Sequence, residues 1–508
     1  MCGIAGMWGS ADRELVVRMT ESIAHRGPDG SGLHRGPNGI LGHRRLAIMD
    51  PEGGAQPLYD EARRLAIVAN GEIYNFPALG KALATTHAPR TSSDNEAIVH
   101  LYEDRGPDTP RALEGMFAFA ICDDDHLFLA RDPLGIKPLY YGLGRDSTGR
   151  EVMAFASEMR PLAEWVDELH EFPPGTYYDS RVGFVRYYEV PTAAPLDRPE
   201  AEHVALIRAG LERAVASHLM SDVPVGAFLS GGLDSSVIAA IARRHITELH
   251  TFSVGLAGSS DINAARRVAA TIGSIHHEYL MTPEEVVAHL PDIVNALESF
   301  DQDLVRSAIP TYFCSRLASE FVKVILTGEG ADELFAGYEY HRAVGDPADL
   351  HRELIRSVAG LHDINLQRVD RLTMRHSLEG RVPFLDTAFV ELALTVPADL
   401  KLRTMPDGRR VEKWVLREAF ADLLPSDIVW RSKEQFDEGS GTIELLGEAL
   451  IPLLDGIDLE AYRAETGEPV RSTEEALYHR LLCDGSSRPD LILPNVARWT
   501  ENRLGIVA

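Results

Sequence analysis

Val225-Gly226-Ala227-Phe228-Leu229 runs straight into Ser230-Gly231-Gly232-Leu233-Asp234-Ser235-Ser236. Five small or apolar residues predict a buried strand. The glycine-serine segment predicts a tight turn, and the apolar-periodic stretch from Ser235 to Arg244 predicts a helix. Working outward, Glu202 to Leu219 reads as a helix, Thr251 to Val254 as a strand, Ala264 to Ile272 as a helix and Val324 to Leu326 as a strand. Strands alternating with helices predict a parallel sheet covered by helices.

The loop itself carries chemistry. Two glycines let backbone N–H groups converge on an anion, and the N-terminus of the following helix adds partial positive charge. Ser230, Ser235 and Ser236 can donate to phosphate oxygens. Asp234 would repel a phosphate, so its place in such a loop is to hold magnesium, which takes carboxylate and phosphate oxygens together. The string lacks the Gly-Lys-Ser/Thr ending of a Walker loop, which argues against γ-phosphate transfer. Leu326-Thr327-Gly328-Glu329-Gly330-Ala331-Asp332-Glu333 is a second acidic loop after a strand, and Asp332 can share the magnesium with Asp234.

The first 190 residues have a different grain. Short runs such as Leu46-Ala47-Ile48-Met49, Leu65-Ala66-Ile67-Val68 and His126-Leu127-Phe128-Leu129-Ala130 read as strands between turn residues. Helices are predicted over Arg13 to Ile23 and Asn95 to Glu103. The Pro-rich segment from Val190 to Pro199 reads as a linker, giving domains at 2–190 and 191–508. Residues 447–469 carry no assignable chemistry.

Cys2 follows the initiator methionine. With Met1 removed, its thiol and α-amine would lie on one residue, nucleophile beside general base. Polar islands punctuate the strands that follow. An amino-acid amide such as glutamine needs a cation for its carboxylate, acids for its ammonium and donors for the oxyanion formed on attack. Arg45 can supply the first, Glu72 and Asp94 the second, and the Asn70 amide with the Gly71 N–H the third.

A net charge of −27 excludes non-specific binding to nucleic acid or anionic membrane. No apolar run approaches a membrane span and no signal peptide is visible, so a cytoplasmic protein is expected. The four cysteines, Cys2, Cys122, Cys314 and Cys483, have no metal-ligand or disulfide spacing, and the last three read as small hydrophobes.

Residues 1 to about 180 resemble the class-II glutamine amidotransferase domain, an N-terminal-nucleophile fold of stacked antiparallel sheets with helices outside (αββα). The resemblance extends to Arg131-Asp132-Pro133-Leu134-Gly135-Ile136-Lys137-Pro138 and Phe155-Ala156-Ser157-Glu158. It implies that Cys2 is the nucleophile and that Arg45, Asn70, Gly71, Glu72 and Asp94 bind glutamine. The Ser230 to Ser236 string resembles the loop of N-type ATP pyrophosphatases. With Arg381-Val382-Pro383-Phe384-Leu385-Asp386 and Trp430-Arg431-Ser432-Lys433-Glu434-Gln435-Phe436, nearly the whole chain resembles the glutamine-hydrolysing asparagine synthetases of bacterial type.

That resemblance implies a second, α/β parallel-sheet ATP pyrophosphatase domain with a helical C-terminal part. Its ATP site would comprise Leu229, Ser230, Gly231, Gly232, Asp234, Ser235, Ser236, Val254, Thr327 and Gly328. Glu329 would act on a β-aspartyl adenylate, and Lys433 would steady charge on the phosphates. Thr327 stands where the family often has serine; the hydroxyl is kept. Arg306 is a candidate for a substrate carboxylate, with a plain ion pair as the alternative. The substrates implied are glutamine, aspartate and ATP with Mg2+, and a homodimer is the family's habit.

Other readings stay open from the sequence. The β-lactam synthetases and lasso-peptide cyclases share the architecture but have little use for glutaminase residues, all of which are present. A glutamine-dependent ligase of secondary metabolism, amidating another carboxylic acid, would keep them. Amidophosphoribosyltransferases and hexosamine-forming aminotransferases share the first half but have no use for Ser230 to Ser236. A degenerate binding protein would be expected to lack Cys2, Asp234, Glu329 or Lys433.

Overall fold

A computed structural model describes residues 2–499 apart from Ala11, Ser147, Ala193 and residues 433–435. Lys433 therefore lies outside the described residues. In the first half, strand Cys2–Trp8 lies between Gly39–Arg45 and Glu151–Ala156 in a six-stranded antiparallel sheet. A second six-stranded antiparallel sheet is centred on Ala66–Ile73, Gly115–Cys122 and Leu127–Arg131.

The sequence of Gly115–Cys122 shows why the sheets stack. Its small Ala118, Ala120 and Cys122 face the other sheet, among Ile4, Leu41 and Phe155. Its large Phe117, Phe119 and Ile121 face outward to a layer that includes Ile98 and Leu101 of helix Glu96–Arg105. A period of two thus sorts residues by size as well as polarity, leaving the gap between sheets narrow. Helix Arg13–Ser22 covers the outer face of the first sheet through Leu15, Val16 and Met19, which share a core cluster with Ala5, Met7 and Ile40. The expected αββα layering is present.

The second half holds a five-stranded parallel sheet in the order Ile275–Leu280, His250–Gly255, Val225–Phe228, Val324–Leu326, Glu379–Arg381. Val225–Phe228 comes first in sequence yet lies in the middle, because later strands add on both sides of it. The order therefore reverses between Val225–Phe228 and Val324–Leu326, the place where open α/β sheets bind ligands. The two loops singled out from sequence leave the carboxyl ends of those two strands. Among the described residues no helix is long and apolar enough to cross a membrane.

One expected strand is absent. The Gly39–Arg45 strand stops before Leu46-Ala47-Ile48-Met49. This run is apolar for another reason: Leu46 and Ile48 are buried in a core shared with Ile207, Leu211 and Leu229 of the second half. Its backbone is satisfied outside a ladder, Ala47 N–H donating to Asp29 Oδ2 at 2.8 Å and Ile48 O accepting from Asp222 N–H at 3.3 Å. Residues 447–469 include the helices Ile451–Leu454 and Leu459–Thr466, which pack Leu453, Leu454, Leu459 and Tyr462 against a core cluster drawn from both halves.

Candidate active sites

At the amino end, strand register sets Cys2 opposite Arg45. Cys2 N–H donates to Asn70 Oδ1 at 3.0 Å, and its thiol points at Leu46 O, 4.0 Å away. Burial pushes the thiol pKa up. The other end of the Asn70 amide, Nδ2, is buried and makes no hydrogen bond, so the side chain that holds Cys2 N also carries a donor with nothing to donate to. Gly71 has φ +155°, and a Cβ there would lie 2.0 Å from Met116 O, which reserves the position for glycine.

Glu72 and Asp94 are both buried. Asp94 Oδ2 accepts from Ile73 N–H at 2.7 Å, and burial pushes its carboxyl up to about 6. Glu72 is pushed well above the usual carboxylate range by burial and by Asp94. Its Oε2 makes no hydrogen bond and faces Arg381 Nη2 at 3.7 Å. The Arg45 guanidinium is held at the rim by Asp50 O at 2.6 Å and Pro51 O at 2.9 Å.

Two residues here come from the far half, on strand Glu379–Arg381. Arg381 Nε donates to Glu379 Oε1 at 2.6 Å, and its Nη1 to His218 O and Met220 O, both at 2.6 Å. Burial alone would raise the Glu379 pKa, but cations including Arg381 and Lys137 hold it down to about 2. Arg26, fully buried, ties the halves further. Its Nε donates to Cys2 O at 3.2 Å, while Nη1 pairs with Glu158 at 3.0 Å and Asp370 at 2.8 Å.

The second site is a cavity of about 210 Å³ at the sheet's switch point. Leu229, Ser230, Gly232, Asp234, Ser235, Val254, Thr327, Gly328, Glu329 and Asp332 all line it. Gly231 (φ +78°) turns the loop, a Cβ there meeting Ala264 Cβ at 2.5 Å, and Ser236 is buried behind the cavity. Gly328 brings the acidic loop against the glycine loop, where a Cβ would lie 2.9 Å from Ser235 N.

The acids of this site already have cations. Lys413 Nζ lies 2.6 Å from both Asp234 Oδ2 and Asp332 Oδ1. Its backbone is left-handed, φ 57°, at a non-glycine residue, a conformation held only where the surroundings enforce it. Glu329 is ion-paired to Arg368, and buried Glu333, raised to about 7 by burial and by Asp332, accepts from Tyr338 OH. Asp234 Oδ1 is buried without a hydrogen bond, an oxygen suited to a hard cation.

The structure does not bring Arg306 into the cavity. Its guanidinium makes a bidentate pair with Glu474, at 2.9 and 2.7 Å. Lys433 falls outside the described residues, next in sequence to Ser432 on the cavity wall. The sequence alone assigns no role to Lys413, Arg368, Glu379 or Arg381.

Comparison with known proteins bears on both sites. The glutamine amidotransferase domain model matches residues 1–177, and the asparagine synthase model matches 206–348 and 342–480. An asparagine synthetase (glutamine-hydrolysing) of Triphysaria versicolor is 39% identical over 464 residues, 87% of this chain and 78% of the relative. One from Asparagus officinalis is 38% identical over 508 residues, covering 95% of this chain and 85% of its own. The chain belongs to the glutamine-hydrolysing asparagine synthetase family. An Arabidopsis thaliana synthetase is similar at 40% identity, with 87% and 79% covered. The family models meet the two sites described above: Cys2, Asn70, Glu72 and Asp94 lie in the first, and Asp234 and Glu329 in the second.

Proposed function

We infer that this chain makes L-asparagine from L-aspartate, with ATP consumed to AMP and pyrophosphate and nitrogen taken from glutamine, which leaves as glutamate. The observation that carries the reading is the pairing of an unsatisfied oxyanion donor beside Cys2 with a glycine-loop cavity at the sheet's switch point. We assign residues 2–190 to the glutaminase and 191–508 to the synthetase.

In the glutaminase, Glu72 and Asp94 receive the glutamine ammonium and Arg45 its carboxylate. The Cys2 thiol, its proton passing to the α-amine freed by removal of Met1, attacks the side-chain amide. The resulting oxyanion is met by Asn70 Nδ2 and Gly71 N–H, ammonia leaves, and water hydrolyses the thioester. In the synthetase, a β-carboxylate oxygen of aspartate attacks the α-phosphorus of ATP and pyrophosphate leaves, with Lys433 proposed to face the departing phosphates. Ammonia then attacks the acyl carbon and AMP departs, with Glu329 proposed to take the proton the nitrogen sheds. Asp234 and Asp332 would hold magnesium, which offsets phosphate charge.

Ammonia must travel unprotonated. One continuous apolar core includes Leu46, Met116, Leu134 and Ile136 of the first half with Leu233 and Leu385 of the second, and such surroundings favour the neutral form. The test is pyrophosphate and asparagine formation with ATP, Mg2+ and aspartate or other carboxylic acids, beside Cys2→Ala. The variant is expected to lose glutamine-dependent synthesis and keep synthesis from free ammonia. Silence with aspartate but turnover of another acid would transfer the reading to an amidating ligase of that acid.

A further inference from the structure

Away from both sites, four side chains of the glutaminase half converge from three separate segments. Glu61 lies before strand Ala66–Ile73, His87 follows helix Phe76–Leu83, and His100 and Glu103 lie on helix Glu96–Arg105. Four distances are set between histidine Nδ1 atoms and carboxylate oxygens. His87 Nδ1 is 3.4 Å from Glu61 Oε1 and 3.5 Å from Glu103 Oε2; His100 Nδ1 is 3.5 Å from Glu61 Oε2 and 3.3 Å from Glu103 Oε2.

These separations are long for charge-assisted hydrogen bonds, which run at about 2.7–2.9 Å. Each has the length of one tetrahedral edge, with Glu61 turning Oε1 to His87 and Oε2 to His100, so that a rotation of its carboxylate brings a single oxygen to both. Zinc binds imidazole nitrogen at about 2.0–2.1 Å and carboxylate oxygen at about 2.0–2.2 Å, and a tetrahedral edge is about 1.63 times that, or roughly 3.3–3.5 Å. The outer ring fits as well. His87 Nε2 meets Asp104 Oδ1 at 3.2 Å and His100 Nε2 faces Glu96 Oε1 at 3.6 Å. Metal-bound histidines characteristically turn their second nitrogen to a carboxylate. His100 is 1% exposed, and Ala88 N–H fixes Glu61 with a 2.8 Å bond.

We propose that Glu61, His87, His100 and Glu103 form a tetrahedral zinc(II) site. Its role is structural, because all four positions are filled by protein and none is left for substrate. It clamps the connection between the two helices, and that connection carries Asp94, proposed above to meet the glutamine ammonium.

The test uses the full chain without a histidine tag, stripped by a chelator and titrated with cobalt(II). One equivalent should develop the intense visible absorption of tetrahedral cobalt, and zinc should abolish it. The oxygen-rich Asp234 and Asp332 site would give only weak octahedral absorption, and Asp234→Asn should leave the intense band in place. His87→Ala, on an exposed connection, should weaken cobalt binding by at least about tenfold, as should Glu103→Gln. Zinc should also slow hydrogen exchange of amides 86–95 in the parent chain and not in His87→Ala. A parent chain with no intense band, or a band that both variants retain in full, overturns the site.

Discussion

Around Cys2 an amide donor and a carboxylate oxygen make no hydrogen bond, whereas at the glycine loop the acids are already ion-paired. Asn70 Nδ2 and Glu72 Oε2 make no hydrogen bond, and burial, joined by Asp94 for Glu72 and by Glu379 for Asp94, raises the pKa of both acids. Asp234 and Asp332 share Lys413, and Glu329 has Arg368. The difference follows from what each site must receive. On the proposed reading glutamine brings its own ammonium and carboxylate, and the site that would receive it keeps one amide donor and one carboxylate oxygen without a hydrogen bond. ATP brings several negative charges to a chain of net charge −27, so its site stores cations in advance.

The sharpest way to break this contrast is Lys413→Met. If the lysine is part of the nucleotide site, pyrophosphate release should fall about 10²–10³-fold with either nitrogen source, the loss that follows removal of one preorganised group facing developing charge. Glutamate release should hardly change. Retained synthesis in the variant would make the lysine a placeholder for the metal. Asn70→Ala should do the reverse, lowering glutamine-dependent turnover about 10²-fold while ammonia-dependent synthesis stays level.

Asp94 gives a pH signature. Its folded pKa is raised to about 6, so the ionised acid proposed to meet the glutamine ammonium is lost as pH falls through that value. Glutaminase kcat/KM, read as glutamate release without ATP, should drop about tenfold per unit below pH 6. Asp94→Asn should be weaker throughout and lack that acid limb.

Lys401 sharpens the comparison from outside both sites. It is fully buried, its Nζ makes no hydrogen bond, and burial lowers its pKa to about 7. A lysine held below its unfolded value destabilises most under conditions where both states are charged. Lys401→Met should therefore raise Tm by a few degrees at pH 6, with the gain shrinking as pH rises toward 10. An unpaired charge that meets no substrate should affect stability alone.

The strand–loop–helix of Val225 to Arg243 was legible because periodicity, glycine placement and serine chemistry agree there. Strand Gly115–Cys122 was legible in part: its apolar run is plain, but sorting by size to two faces needs the partner sheet. Leu46 to Met49 misled because an apolar run states that it is buried and not in what conformation. Lys413 was invisible for a related reason. Its cues are a left-handed backbone and two aspartates 179 and 81 positions earlier, distances over which one sequence carries no pairing signal.

Arg381 and Glu379 have a consequence for timing. They complete the surroundings of Glu72 from roughly 300 residues downstream, and at about 5–20 residues per second a ribosome takes roughly 15–60 s to reach them. Through that interval the nascent first half carries Glu72 without its cation, and Arg26 without Asp370. The glutaminase is thus finished by the strand that closes the synthetase sheet, so a half-made chain is poorly equipped to spend the cell's glutamine before it has anything to attach the nitrogen to.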